Sequence, residues 1–293
     1  MREDDLRPSE NIEDRRGSGG RFTARGGGLG IGAVVVLTLL GWAFGINPAD
    51  LINGAQMVAG NSNAPTSQSA PARTGAPTDQ TGNFVARVLG ETEDVWSEVL
   101  PAQANRQYEK PILVLYSGVT RSGCGTAQSA MGPFYCPLDR KLYLDTSFFQ
   151  DMQRRFGGGG DFANAYVISH EVGHHVQNLI GLLPKVQRAQ QNAPDRATAN
   201  AISVRVELMA DCFAGVWANK MNQRHGNIDE NDVREAVKAA SAIGDDRLEK
   251  QSQGYAVPDS FTHGTSEQRV RWLTTGLKTG SMKACDTFQA QGL

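Results

Sequence analysis

Residues 28–46, GLGIGAVVVLTLLGWAFGI, hold nineteen positions without a charge, and this run divides the chain. A helix of about 20 apolar residues is what a bilayer core requires. The run is apolar all round, whereas a helix lying on a globular core shows one apolar stripe. A long polar leader precedes it and no A-x-A cleavage site follows, so it reads as an uncleaved transmembrane helix and not a secretory signal. Arg15, Arg16, Arg21 and Arg25 precede the span closely, while the first cation after it is Arg73. The positive-inside rule then predicts a single-pass protein with a cytoplasmic N-terminus and an exported remainder.

The flanks differ in character. Residues 1–27 mix six Arg with six acidic side chains and few large apolar ones, which predicts a disordered cytoplasmic tail. Residues 47–83 are rich in Pro, Ser, Thr, Ala, Gly and Asn, the composition of a flexible linker. Residues 84–293 remain as the one folded domain. The 29 basic and 31 acidic residues give a net charge of -2, without the basic excess expected of a nucleic-acid binder.

Within that domain the apolar spacing of residues 84–100 predicts an amphipathic helix ended by Pro101. The short runs PILVLY and KLYLD, at 111–116 and 141–145, predict strands. Further helices are expected over 161–183, with Asp161 a possible N-cap, then over 197–222, 231–243 and 265–277. Strands followed by helices give an α+β domain, helix-rich with a small sheet.

The chemistry concentrates in His170-Glu171-Val172-Gly173-His174. Histidines at i and i+4 project from one helical face, so both imidazoles can reach one ion. Zinc suits them, and a zinc-bound water has a pKa near about 7, within reach of Glu171 as base. A catalytic zinc needs a third protein ligand and an open position. Glu207 and Asp211 supply an i, i+4 acidic pair on the next long helix. Glu207 is assigned as ligand and Asp211 as the acceptor that orients a ligand histidine, with the roles exchangeable. Ala210, Ala214 and Gly215 are small enough to let the two helices approach. His175 points about 100° away from the pair, as a core or supporting histidine. His225 lies in a polar turn and is expected to be solvated. His263, with Arg269 near it, could stabilise an oxyanion on the face opposite Glu171, or could serve as a cap. Cys124, Cys136, Cys212 and Cys285 form no C-x-x-C motif, so an exported domain should carry them as disulfides. The favoured pairing is Cys124–Cys136 with Cys212–Cys285.

The chain also resembles the neutral zinc metallopeptidases of bacterial membranes. The resemblance rests on Ser9-x-Asn11 through Gly17, Gly132 through Asp139, His170 through Gln177, Glu207 through Cys212, His263 through Arg269 and Cys285 through Phe288. Its motifs are similar to those of the Ste24-like and HtpX-like membrane proteases. The resemblance implies a zincin-like fold, Glu207 as third zinc ligand and His263 at the transition state. It implies a metalloendopeptidase acting on a peptide or protein substrate, at the bacterial inner membrane with its domain periplasmic or extracellular. It also implies a strand edge that binds an extended peptide, for which residues 141–145 are the candidate. Two other readings use the same residues: a zinc-stabilised binding domain without activity, and a zinc amidohydrolase of cell-wall amides.

Overall fold

The computed structural model describes residues 1–17, 72–156 and 159–293. In chain order these contain β1 (Ile12–Asp14), β2 (Arg73–Thr74), α1 (Gln80–Ala104), β3 (Ile112–Tyr116), β4 (Val119–Ser122), β5 (Gly125–Gln128), β6 (Phe134–Cys136) and β7 (Lys141–Asp145). There follow α2 (Ser147–Asp151), α3 (Asp161–Leu179), α4 (Leu182–Gln191), α5 (Arg196–His225), α6 (Glu230–Ala242), α7 (Asp245–Gln253) and α8 (Ser266–Thr279). This is an α+β, helix-rich domain. Among the described residues no helix is long and apolar enough to cross a membrane. The predicted span at 28–46 and most of the predicted linker lie outside those residues.

Five strands form a mixed sheet in the order β2-β1-β3-β7-β6. The three central strands are parallel, and the edge strands β2 and β6 run antiparallel to their neighbours. Alternate side chains of a strand face opposite sides. Leu113 and Leu115 of β3, with Leu142 and Leu144 of β7, enter the main core against α1 and α3. Val114, Tyr116 and Tyr143 face a second cluster, where Ala127 of the β4–β5 hairpin covers them. Burial on both faces is why ILVLY is a continuous apolar run.

Four expectations are corrected, the last of them at a helix cap. Residues 1–16 are not a disordered tail: β1 sits inside the sheet, and Leu6 and Ile12 are each only 2% exposed. Their order comes from partners far along the chain, which composition does not register. Lys141–Asp145 is not an edge, because β3 and β6 flank it on either side. Pro101 does not end α1, which continues to Ala104 and closes on Asn105 in the left-handed region, φ 51°. A proline in the last turn removes one backbone donor, and the amide of Asn105 still reaches the carbonyls of Leu100 and Pro101.

The other helix ends follow their capping chemistry. Asp195 caps α5 through the Thr198 amide, and reciprocal capping boxes start α6 at Asp229 and α8 at Thr265. Asp161 is the first residue of α3 and not its cap, and Gly160 precedes it. Because Ile12 fills a core position between sheet and helices, Ile12→Ala should cost about 2–5 kcal/mol. Thermal unfolding of the variant is expected at a midpoint roughly 5–15 °C lower. An unchanged midpoint would mean that β1 is not part of the cooperative fold.

Candidate metal centre

The site forms where α3 crosses α5. A Cβ on Gly173 would lie 3.0 Å from the Ala210 carbonyl oxygen and 3.1 Å from its Cα, so the glycine of the first motif and the alanine of the second let the helices meet. Gly215, expected at the same contact, instead meets α8, where its Cβ would fall 2.2 Å from the Leu273 carbonyl.

The close crossing brings His170, His174 and Glu207 together, with one ligand atom from each lying within 4.8 Å of the others. His170 Nε2 is 3.2 Å from Glu207 Oε2, and His174 Nε2 is 3.5 Å from Glu207 Oε1. Ligand atoms around a tetrahedral zinc at its usual bond lengths are about 3.3 Å apart. The donor set, two imidazoles and a carboxylate, therefore suits zinc in both type and spacing.

The far nitrogen of each imidazole is held. His170 Nδ1 donates to Asp211 Oδ1 at 2.9 Å, and His174 Nδ1 donates to Gln177 Oε1 at 2.9 Å. Gln177 is fully buried and fixed in turn by donating to the Val206 carbonyl at 2.7 Å. Both Nε2 atoms are thereby turned toward Glu207. Asp211, expected as the orienting acid, stands in that place. It also accepts from the Tyr166 hydroxyl at 2.5 Å and from both ends of the Arg269 guanidinium, at 2.9 Å each.

The charges favour a cation here. Burial alone would raise the Asp211 pKa, but Arg269 and His170 hold it down at about 2. Burial alone would lower the His170 pKa, but Asp211 and Glu207 outweigh it and push it up to about 10. His174 is raised in the same sense, chiefly by Glu207, and Glu207 is held well below the usual carboxylate range by the two imidazoles. A pocket that draws protons onto both imidazoles stabilises positive charge between them, as a divalent ion would supply.

The centre opens into a cleft of about 980 Å³. Glu171 and His263 line it with the three candidate ligands, and among the described residues none hydrogen-bonds the Glu171 carboxylate. His263 Nδ1 lies 3.1 Å from Asp245 Oδ1, while Asp245 Oδ2 also accepts the amides of Thr262 and His263 at 2.7 and 2.6 Å. Burial opposes protonation of His263, but the Asp245 hydrogen bond and the nearby Glu207 raise its pKa. Arg269 braces Asp211 and does not pair with His263.

Sequence reasoning missed Asp245, Gln177, Tyr166 and Tyr135. Gln177 and Tyr166 lie three and four residues from a motif histidine, so helical spacing could have flagged them. Asp245 and Tyr135 are brought in by tertiary structure alone. His175 is a tether: its Nε2 donates to the Glu109 carbonyl at 2.6 Å, and its Nδ1 accepts from the Tyr135 hydroxyl at 3.1 Å. That hydroxyl also accepts from Asn178 at 2.9 Å, so β6 is pinned to the metal-site helix. His225 is partly buried and not free in solvent, pairing at 3.0 Å with Glu91, a carboxylate on α1 that is only 2% exposed. Both disulfides join as expected, Cys124–Cys136 and Cys212–Cys285.

Two imidazoles one helical turn apart, closed by a carboxylate from a second helix, mark the class of helix-borne zinc centres. The chain belongs to the family described as "Putative neutral zinc metallopeptidase", whose model matches residues 1–288, and zinc is the metal which that family implies. The chain is 46% identical to the uncharacterized protein YpfJ of Escherichia coli K12, over 98% of this chain and 99% of the relative. It is 40% identical to the uncharacterized protein Rv2575 of Mycobacterium tuberculosis, over 85% of each. No solved structure matches the chain significantly.

Gln177→Leu removes the acceptor behind His174 without touching a ligand atom. Zinc affinity measured by chelator competition should fall about 10–100-fold. An unchanged affinity would show that this hydrogen bond does not orient the imidazole.

Proposed function

We propose that this chain is a zinc-dependent endopeptidase, with His170, His174 and Glu207 as the metal ligands and Glu171 as the base. The observation that carries this reading is the convergence of those ligand atoms within 4.8 Å in a cleft that Glu171 also lines. A purely structural zinc site is closed and has no use for an adjacent carboxylate.

Bound zinc supplies a Lewis acid that polarises the scissile carbonyl and acidifies water. The protein side chains do the rest. Glu171 takes a proton from the water as its oxygen attacks the carbonyl carbon. The protonated His263, oriented by Asp245, stabilises the negative charge that develops on the carbonyl oxygen. The carbon–nitrogen bond then breaks, and Glu171 passes the proton to the leaving amine. Arg269 keeps Asp211 ionised, and Asp211 keeps the His170 ring in place.

The substrate in this reading is an extended peptide, and the architecture is read as zincin-like. The pairing edge is β6 and not β7. Phe134 and Tyr135 line the cleft, β6 ends the sheet on this side, and Tyr135 is tied to α3 through His175 and Asn178. Met131 and Leu138, 63% and 76% exposed on either side of β6, line the same cleft and offer apolar contact to substrate side chains. The two disulfides support action on the oxidising side of the membrane, periplasmic or extracellular. The uncharged stretch 28–46 supports a membrane attachment.

Glu171→Gln should retain stoichiometric zinc while peptide hydrolysis drops about 10²–10⁴-fold or more. Cleavage of a peptide library at the wild-type rate by this variant would remove the base assignment. Asp245→Asn tests the second role. The cationic form of His263 exists below its pKa, and Asp245 raises that pKa, so activity should decline only as pH rises through the raised value. Loss of the carboxylate lowers that pKa, and the alkaline limb of kcat/KM should move to lower pH. A superimposable pH profile would exclude His263 as the cationic group.

A further inference from the structure

The sheet brings together the two strands that flank the segment Gly17–Pro71. β1 precedes that segment and β2 follows it, and the two are paired antiparallel with Asp14 opposite Arg73 and Glu13 opposite Thr74. On its other side β1 is paired in parallel with β3, Ile12 opposite Leu113 and Asp14 opposite Leu115. Removing β1 would open the sheet between β2 and β3.

The residues before β1 are equally committed to the domain. Ser9 is fully buried, donates its hydroxyl to Glu93 at 2.5 Å and bonds its amide to the Ala86 carbonyl at 2.8 Å. Asn11 donates to the same Glu93 at 2.7 Å, and Arg7 reaches both Glu93 and Asp94. Glu93 is 1% exposed, so it depends on these partners and on Lys110. Arg87 of α1 donates to the carbonyls of Glu3, Asp4 and Leu6. Gly90 is required by this contact: a Cβ there would fall 2.0 Å from the Arg7 carbonyl oxygen.

These contacts bear on how the chain meets a membrane. Two of the four arginines that point the positive-inside rule toward a cytoplasmic N-terminus are engaged in the domain. Arg15 pairs with Glu13 and donates to Thr120, and Arg16 pairs with Asp14 and Asp79. β1 is paired on both sides within the sheet, so Met1–Arg16 folds on the side where Ala72–Leu293 folds. Between the two lies one uncharged run of membrane-spanning length, and a single complete crossing would separate them.

We propose that Met1–Arg16 and Ala72–Leu293 lie on the same side of the membrane. This rests on strand pairing and not on the peptidase reading, so the two stand or fall separately.

The test uses the full-length chain in bacterial cells, carrying one epitope at each terminus and protease added to intact spheroplasts. The two epitopes are expected to respond alike, both cleaved or both protected until lysis. Cleavage of one with protection of the other overturns the proposal. Where the amino-terminal epitope prevents folding, the untagged chain with Glu13→Cys and Thr74→Cys replaces it. Mass mapping after mild oxidation of the membrane fraction is expected to find positions 13 and 74 linked. Failure to link in protein that retains Cys212–Cys285 equally overturns the proposal.

Discussion

The structure turns on one buried carboxylate. Asp211 has no exposure to solvent and is ringed by His170, Tyr166 and Arg269, which bring α3 and α8 onto α5. A charge in that position is costly unless each lone pair has a partner. The guanidinium supplies the opposite charge and two donors, the phenol a third, and the imidazole a fourth. The group that holds the His170 ring is thus the same one that locks three helices, so a change at Asp211 reaches both the fold and the candidate centre.

Around that contact the helices divide the work. Gly173 and Ala210 set the α3–α5 distance, and from it follows the spacing of His170, His174 and Glu207. The metal-site helix is also fixed to the sheet, through the His175 tether to Tyr135 on β6. The edge strand and the candidate metal centre are therefore registered by side chains outside the His170, His174 and Glu207 cluster. Asp245 at the start of α7 gathers the loop before α8 and holds His263, which lines the cleft.

What could be read in advance was local. Two histidines four apart on a helix and an acidic pair with the same spacing carry their meaning within a few positions. Gln177 and Tyr166 obeyed the same periodicity, and their roles emerged only when a second helix was packed against them. The strand order was not legible, because KLYLD has the same pattern whether it lies at an edge or second from it. The largest departure, β1, has one core side chain in three residues, and its neighbours Ser9 and Asn11 are satisfied by Glu93, more than eighty positions away. Composition reads such a segment as solvated, since it registers polar atoms and not their partners.

The account depends most on a single ion held by three named side chains. Anomalous diffraction from crystals of the full chain, recorded above and below the zinc absorption edge, tests this directly. A single zinc peak within about 2.0–2.2 Å of His170 Nε2, His174 Nε2 and a Glu207 carboxylate oxygen is the expected result. A peak at other residues, or zinc-equilibrated crystals with no peak between these three, would contradict it.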